Sequence, residues 1–376
     1  METNNLNDDE LEKAKIKEEH ISYTCKSCGG NLEFNPKNHT MKCPYCSTEE
    51  EFEFEIVDDI KEYDIMKGIS NKSRDWGIEM RILKCESCGS TNNIDTSTKA
   101  SFCPFCGSSH IVSDEMYEDD MITPETIIPF KIEKKEAKER YKEWINKLWF
   151  APNNLKMFAE SDSLQGVYIP FWTYDADTTT IYNATRGDYY YVTHTTYENG
   201  QKVTKTEQKI RWTYVSGNYT RYFDDILVSA SKNIHQTTIK EINDYNLKQL
   251  INYNPKFLSG FLAERYTINL ETGWNTAKID VDIGIEKGII NKVGGDICNI
   301  TYKNTNYNQV LYKHLLLPIW LSTYKYKNKL YKYYVNGATG KIYGTRPYSI
   351  IKILLFTIFI FAISAAIVFI LKYYSD

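Results

Sequence analysis

The stretches CKSCGGNLEFNPKNHTMKCPYC (25–46) and CESCGSTNNIDTSTKASFCPFC (85–106) repeat one pattern sixty residues apart. Each copy opens with C-x-S-C-G and closes with C-P-[Y/F]-C, and fourteen residues separate its two cysteine pairs. Two Cys-x-x-Cys turns that share one ion are typical of a zinc ribbon. The repeat therefore predicts two zinc ribbons with eight metal ligands: Cys25, Cys28, Cys43, Cys46, Cys85, Cys88, Cys103 and Cys106.

The spacing has a chemical reason. Two thiolates separated by two residues face one ion from a single turn, and the following Gly29 or Gly89 lets backbone amides point at the sulfurs. Four thiolates close a tetrahedral site to water, so we predict two structural zinc ions. Rubredoxin-like iron or an Fe–S cluster also fits four thiolates, whereas a thioredoxin-type pair would need a single Cys-x-x-Cys at a helix start.

Other reactive residues give no comparable pattern. With four thiolates per copy, neither His39 nor His110 is needed as a ligand, and we predict surface histidines; Cys298 is predicted to be a buried or free thiol without a role. The sequence contains no Walker-type phosphate loop, H-E-x-x-H or G-x-S-x-G motif. The acid pairs 175/177 and 224/225 are predicted to be solvated, and no catalytic residue is predicted.

Composition and charge narrow the class of protein. The chain has 376 residues, 42% hydrophobic and 25% charged, which excludes a disordered or collagen-like protein. Residues 1–120 carry 26 acids and 13 bases, a net charge of −13, and the remainder carries +9. An acidic front half repels phosphate backbones, so nucleic acid is the less favoured partner. Nine cysteines, eight of them in metal-type pairs, indicate a reducing compartment rather than a disulfide scaffold.

The C-terminus predicts a membrane anchor. The stretch ILLFTIFIFAISAAIVFIL (353–371) has no charge and is long enough, as a helix, to cross a bilayer. Lys341, Arg346 and Lys352 precede it and only Lys372 follows, so the positive-inside rule places the N-terminal body in the cytoplasm. Without an N-terminal signal peptide, the sequence predicts a single-pass, tail-anchored protein of the cell membrane. A buried core helix is the alternative.

The middle of the chain is rich in aromatic residues and predicts an α+β domain with an antiparallel sheet. Helices are expected over 133–149, 238–251 and, interrupted by glycines, 272–293. Asn199-Gly200 predicts a hairpin turn, and further turns are expected at 216–218, 327–329 and 336–337. IPFW (169–172) and LPIW (317–320) predict strands that begin with an edge proline, and they come from either a duplicated α+β unit or chance.

These features divide the chain into six segments. They are an acidic tail (1–22), zinc ribbon 1 (23–48), an acidic linker (49–81), zinc ribbon 2 (82–112), the α+β domain (113–349) and a transmembrane helix (350–372).

Several stretches carry a resemblance to known proteins, together with the two cysteine repeats. They are LWFAPN (148–153), LQGVYIPFWTYDADT (164–178), RGDYYYV (186–192), FDDILV (223–228), LSGF (258–261) and KHLLLPIW (313–320). In these the chain resembles a bacterial family of membrane-anchored double zinc-ribbon proteins, whose metal ligands match the eight cysteines one for one. Members are often labelled transcription-factor-IIB-type zinc ribbon or primosomal helicase-like; the missing phosphate loop speaks against the helicase label. The resemblance implies an association with phage-shock protein A-like and flotillin-like proteins in envelope stress.

The sequence leads to three functional hypotheses. The first is a non-enzymatic membrane adaptor, in which two zinc-stiffened knuckles on an acidic arm recruit a protein partner. The second is a nucleic-acid-binding zinc-ribbon protein of replication or transcription. The third is an enzyme whose site lies in the tyrosine-rich domain, which a pocket with convergent groups of shifted pKa would favour.

Overall fold

The mixed α+β class is confirmed: a small sheet and a large sheet are combined with helices and an apolar C-terminal helix. The computed structural model describes residues 23–54, 60–70, 80–95, 102–109, 111–114, 121–153, 155, 164–198, 201–327 and 329–375. The predicted acidic tail (1–22), His110 and the Asn199-Gly200 turn lie outside the described residues.

The described elements run in the following order. The strands are β1 Glu33–Asn35, β2 Thr40–Lys42, β3 Glu49–Glu50, β4 Tyr63–Asp64, β5 Met80–Cys85, β6 Thr91–Asp95, β7 Ile111–Asp114, β8 Thr126–Ile127, β9 Gln165–Glu198, β10 Gln201–Ser229, β11 Ile251–Asn252, β12 Leu262–Glu264, β13 Ile297–Tyr326, β14 Lys329–Asn336 and β15 Ile342–Gly344. The helices are α1 Ile65–Ser70, α2 Lys134–Asn146, α3 Gln236–Ile242, α4 Leu270–Val293 and α5 Ile350–Ser375, with 3₁₀ turns at Leu247–Gln249 and Pro255–Leu258.

The large sheet is centred on two long antiparallel strands. Its strand order is β11-β8-β13-β9-β12-β6-β5-β7, and β10, β14, β15 and β4 pair outside this path. The central strands β9 and β13 pair from Gln165↔Leu321 to Gly187↔Ile297. Side chains buried around this pair form the main core, because β-strand residues alternate between two faces and both faces are covered here by helices, loops or ribbons.

An internal two-fold arrangement relates the halves of the large domain. Strand β8 runs parallel to β13 at Leu315 and Leu316, three and two residues before Pro318. Strand β12 runs parallel to β9 at Val167 and Tyr168, three and two residues before the other proline, Pro170. Each half is a β-α-β-β unit, β8-α2-β9-β10 or β12-α4-β13-β14, whose first strand pairs with the long strand of the other half. The pairing is thus offset equally from the proline in both halves, which favours a duplicated α+β unit over a chance similarity of the two proline-containing stretches.

The two prolines correct one prediction. They do not begin their strands at a sheet edge; Pro170 lies inside β9 opposite Leu316, and Pro318 lies inside β13 opposite Tyr168. A proline lacks the N–H that a central strand needs. At Pro170 the neighbouring strand changes, since β12 pairs with β9 up to Tyr168 and β10 pairs from Phe171 onward. The proline therefore occupies a gap between two outer strands.

The helix predictions have different outcomes. The helix expected over 133–149 is confirmed as α2, with Ala137, Tyr141 and Ile145 buried. The helix expected over 238–251 is wrong beyond Ile242, because the chain turns and Asn246 caps a 3₁₀ turn through its side chain. The helix expected over 272–293 is confirmed as α4 but is uninterrupted.

Glycines that were interpreted as breaks instead make room for aromatic rings. Within α4, a Cβ at Gly284 or Gly288 would clash with the rings of Phe223 and Tyr219 on β10. The turn predicted at 216–218 is also wrong: β10 continues through it, paired with β9, and the space beside Gly217 holds the Tyr182 hydroxyl. Local rules that interpret glycine as a turn or break therefore failed to predict these long strands and the helix packed on one of their faces.

The segment predicted as an acidic linker contains folded pieces. Strand β3 completes the small sheet of the first ribbon by pairing with β2. Strand β4 pairs with β13, and the carboxylate of Glu62 beside it accepts a hydrogen bond from Lys313, with Nζ–Oε1 at 2.9 Å. Lys313 is only 6% exposed and also contacts Asp225 at 2.7 Å. The ion cluster holds this part of the chain against the large sheet.

Helix α5 differs from all other described helices in its surroundings. Its residues Ile350–Lys372 have a mean hydropathy of 3.0, and none of that window is buried. Among the described residues, it is the one helix long and apolar enough to cross a membrane. Its first turn is tied to the body, since Lys352 donates to the carbonyl of Ala151 at 2.7 Å and Phe356 packs on Trp149 and Phe150.

Candidate metal centres

Four turns of the same geometry carry the eight predicted ligands. In the first turn, the amide of Cys25 donates to the Gly30 carbonyl and the amide of Gly29 donates back to the Cys25 carbonyl. The turns that begin at Cys43, Cys85 and Cys103 repeat this pair of hydrogen bonds. In every turn the residue four places after the first cysteine has a left-handed backbone, with φ of 62° to 74°: Gly29, Ser47, Gly89 and Gly107. Ser47 is the exception to glycine, which tolerates this conformation best.

The turns bring the cysteines together in two groups of four. Within each group the ligand sulfurs all lie within 4.8 Å of one another. The first group has Sγ–Sγ distances of 3.5 Å for both Cys25–Cys46 and Cys28–Cys43. The second has 3.5 Å for Cys85–Cys106 and 3.7 Å for the remaining pair. A tetrahedral zinc ion with Zn–S bonds of about 2.3 Å needs sulfurs about 3.8 Å apart. Each group could thus hold one metal ion.

Backbone amides are directed at the sulfurs, as the turn chemistry predicts. Burial raises the pKa of the Cys25 thiol, but the amides of Ser27 and Cys28 outweigh it, so this pKa lies below its usual value. The hydroxyl and the amide of Thr48 lower the pKa of Cys46 to about 6. Hydrogen-bond donors of this kind stabilise the thiolate form that binds a metal.

The second group lies beside a cation. Burial lowers the pKa of the Lys332 ammonium group, whereas the nearby thiols of Cys88, Cys106 and Cys103 raise it. Four thiolates around a divalent ion leave a net charge of −2. A lysine on β14 therefore offsets part of the charge that the second centre would carry.

Both ribbons are packed on the large domain. The first ribbon docks through Phe34, whose ring lies 5.0 Å from that of Phe257 and whose amide donates to the Ser259 carbonyl. The second ribbon joins the large sheet, because its strand β6 pairs with β12. At Gly107, an added Cβ would lie 2.9 Å from the Thr323 hydroxyl oxygen. The second ribbon therefore packs tightly against β13 at Gly107.

The two copies differ most at one aromatic position. In the first ribbon Tyr45, between Cys43 and Cys46, is 79% exposed. In the second ribbon the corresponding Phe105 is 1% exposed and belongs to the core around β9 and β13. One knuckle is thus free at the surface, and the other is part of the fold.

An acidic residue of the predicted linker stabilises the first ribbon. The carboxylate of Glu49 accepts hydrogen bonds from Asn38 at 2.9 Å and Thr40 at 3.2 Å, and it pairs with Lys42 at 3.0 Å. These contacts, with Asn38 the largest, lower the pKa of Glu49 to about 2. This role of Glu49 could not be predicted from the sequence, because the glutamate sits in a run of acids typical of a solvated stretch.

The structure also describes His39 and Cys298, which were not predicted to be metal ligands. His39 is half-buried rather than a free surface residue; its ring stacks on Phe34 at 5.9 Å, and burial lowers its pKa. The two four-cysteine groups do not include it. Cys298 is a partly buried free thiol on β13, packed near α4, and burial raises its pKa.

Several buried polar groups were not found from the sequence. Asp175, predicted to be solvated, is buried and accepts from the amide of Asp225 at 2.8 Å. Burial raises the pKa of Glu125 and of Glu264 to about 7 and lowers that of His314 to about 4. Glu125 lines a cavity of about 220 Å³. A larger cleft of about 480 Å³ separates the first ribbon from the sheet, with Glu33, Lys42, Gln165, Phe261 and Trp320 among its lining residues. A catalytic use of either cavity remains a hypothesis.

Comparison with known proteins adds a relative of nearly the same length. The chain is 26% identical over 338 residues to the uncharacterized protein YdjG of Bacillus subtilis (strain 168), which covers 88% of this chain and 91% of that protein. No family model matches the chain, and no solved structure matches it. The structure contains two four-cysteine groups consistent with zinc ribbons. The specific family stays a prediction.

Proposed function

We propose that this protein is a membrane-anchored cytoplasmic adaptor that recruits a protein partner through the exposed knuckle of its first zinc ribbon. The observation that carries the proposal is the contrast between Tyr45, exposed at the tip of the first ribbon, and Phe105, buried in the core by the second. An exposed tyrosine on a rigid turn gives a large contact area at low entropic cost. In this proposal the second ribbon stabilises the fold and the first ribbon binds the partner. The protein itself acts without catalysis.

The metal in this proposal is zinc, two ions per chain, in a structural role. Four sulfurs at these distances fit a closed tetrahedral site, and ribbons of about 25 residues cannot build a core of their own. Zinc binding would therefore hold the tip that carries Tyr45 in shape.

Helix α5 is the proposed anchor. A soluble core helix of this hydropathy would be covered by protein, but none of this window is covered. Trp149 and Tyr348 are exposed beside its first turn, where aromatic residues favour the membrane–water interface. Lys352 and Arg346 lie on the same side, and by the positive-inside rule they support a cytoplasmic body. Tethering to one surface raises the effective concentration of anything the ribbon binds.

Charge on the first ribbon favours protein over nucleic acid as the partner. Two of its three lysines form ion pairs with glutamates: Lys26 with Glu50 at 3.5 Å and Lys42 with Glu49 at 3.0 Å. Nucleic-acid binding needs cations that are available to phosphates. The resemblance to envelope-stress-associated proteins suggests a peripheral membrane protein of the flotillin-like or phage-shock protein A-like kind as that partner.

The test is photo-crosslinking of the full-length protein in its native membrane. A photoreactive residue replaces Tyr45, and the matched control replaces Met66, which is also exposed but lies on α1. We expect one protein to be captured at position 45, not at position 66, and to disappear when Cys25→Ser removes a ligand of the first centre. Equal labelling at both positions, insensitivity to Cys25→Ser, or recovery of RNA or DNA alone would refute the proposal.

A further inference from the structure

The strands β9, β10 and β13 extend beyond the core as a blade with two unlike faces. Helix α4 covers one face, with Val281, Ile285 and Ile289 packed on Tyr182 and Ala184. Residues on a strand alternate between faces, so the pairing register assigns every position of the blade to one side. The face turned away from α4 carries the odd positions of 179–197 on β9, the even positions of 202–220 on β10, and Ile297, Asn299, Tyr302, Asn304 and Asn306 on β13. We call this set the uncovered face.

The uncovered face is almost without charge. It has ten positions on β9, ten on β10 and five on β13, and Lys202 is its single charged residue. A chain that is 25% charged would place about six charges on such a set. The opposite face of the same strands has seven among its described side chains: Arg186, Asp188, Lys205, Glu207, Lys209, Arg211 and Lys303. Exposure to solvent alone does not explain why the charged residues are concentrated on one face.

Aromatic side chains occupy the uncovered face at high exposure. Tyr214 is 90% exposed, Tyr197 74% and Tyr191 67%, and Trp212 lies over Gly187. The other positions are mostly Thr, Asn, Gln and Ser. Tyrosine and tryptophan among small uncharged polar residues are the composition of protein-binding surfaces such as antibody paratopes. Beyond Gly187 the blade is a two-stranded hairpin, which is marginally stable in isolation.

We propose that the occupant of the uncovered face is the same face of a second copy of this chain. An uncharged face meets itself without like-charge opposition, whereas a charged partner would find no complementary charge on it. At about 3.3 Å per residue and 4.8 Å per strand, the face measures roughly 600–800 Å². This area equals the contribution of one subunit to an interface of standard size.

Geometry also fixes the orientation of the two copies, if α5 is the membrane anchor proposed above. Shortly before α5, the amide of Thr345 donates to the carbonyl of Lys332 on β14. Lys332 pairs with the C-terminal part of β13, which lies beside the first residues of β9. The uncovered face starts about 45 Å further along β9 from that end. Two copies in one membrane have the same topology, so a two-fold axis between them runs along the membrane normal. With the strands along that normal, the two faces stack in parallel about an axis along the strands.

Parallel stacking gives a specific contact for the one charge on the face. A two-fold axis that runs along the strands and passes between β9 and β10 places β9 of one copy over β10 of the other at the same height. Lys202 pairs with Tyr197 within a chain, so Lys202 of the second copy lies over the Tyr197 ring of the first. The two lysines are thereby kept apart, and each has a cation–π partner.

The test uses full-length protein reconstituted in liposomes, where this chain is the only protein present. A photoreactive residue replaces Tyr191 on the uncovered face, or Tyr190 on the opposite face as a matched control. We expect a crosslinked product of twice the 43.9 kDa chain mass at position 191, at least ten times stronger than at position 190. Equal yields at both positions, or no dimer at either, would overturn the proposal.

A second pair of variants separates the interface from folding. Thr195→Glu places a carboxylate on the uncovered face of each copy, and Thr196→Glu places one on the opposite face one residue away. We expect Thr195→Glu to reduce the crosslink at position 191 at least tenfold and Thr196→Glu to leave it unchanged, with equal metal content in both. Insensitivity to Thr195→Glu, or a native-membrane crosslink at position 191 to a different protein instead of a second copy, would contradict the assignment.

Discussion

Truncating the matching aromatic residues of the two knuckles should destabilise the protein to very different extents. Phe105→Ala removes a side chain that is 1% exposed, and removal of a buried phenylalanine costs about 3–5 kcal/mol in the free energy of unfolding. Tyr45→Ala removes one that is 79% exposed, and surface changes stay within about 0.5 kcal/mol. For 376 residues the unfolding entropy is about 0.8 kcal/mol/K, so Phe105→Ala should lower the melting temperature by about 4–6 °C and Tyr45→Ala by less than about 1 °C.

The assay is thermal unfolding of the full-length protein in detergent micelles with excess zinc, followed by tryptophan fluorescence. Phe105→Leu is the control, because a substitution that keeps most of the volume costs less than about 1.5 kcal/mol. The expected order of melting temperatures is wild type and Tyr45→Ala together, then Phe105→Leu, then Phe105→Ala. Equal losses for the two alanine variants would show that both knuckles are seated alike, and the division of labour between the ribbons would be refuted.

Three further changes test the turns and the buried acid. Ser47→Gly should raise the free energy of unfolding by about 0.5–1 kcal/mol in urea titration, because Ser47 holds a left-handed backbone; a loss of stability would contradict this. Gly107→Ala should destabilise the protein more than Gly29→Ala, since both have φ near 74° but only the former meets a neighbour, at Thr323; equal effects would argue against the seating of the second ribbon. Burial raises the pKa of folded Glu264 to about 7, so the folded protein holds it protonated below that pH, and its contribution to stability is present below pH 4.5 and is lost as pH rises through about 7. Glu264→Gln should flatten that decline in unfolding measured from pH 5 to 8, and an unchanged slope would be inconsistent with a buried protonated acid.

The metal-binding turns could be predicted because their information is local. A Cys-x-x-Cys-Gly turn fixes its own hydrogen bonds and directs its own amides, so five residues are enough to specify it. The fate of the aromatic residue inside each second turn could not be predicted. Tyr45 and Phe105 occupy the same place in the repeat, and only the distant strands β9 and β13 decide that one of them is buried.

Long strands were hidden for a related reason. Gly217, Gly284 and Gly288 follow local rules for turns and helix breaks, but each instead accommodates a tyrosine or phenylalanine from another element. Likewise the Glu49 carboxylate belongs to an acidic run, and its role depends on donors that the hairpin brings to it. Periodicity predicts an element, whereas the partner of that element comes from residues far away in sequence.

The architecture links the two proposals. The first ribbon, the second ribbon and the core of the large sheet form one packed body, with α5 leaving it at one end and the blade extending from the other. A partner held by the first ribbon would lie near the membrane-proximal body. Pairing of blades would bring two such ribbons together and double the number of binding sites, which strengthens weak contacts by avidity.

The central claim, that two closed four-thiolate centres hold zinc, is tested most directly by metal analysis of the purified full-length protein. Inductively coupled plasma mass spectrometry should find two zinc ions per chain, one after Cys25→Ser or Cys85→Ser alone, and none after both together. A correctly folded wild-type protein that contains no zinc, or whose zinc content does not change with either substitution, would contradict the account.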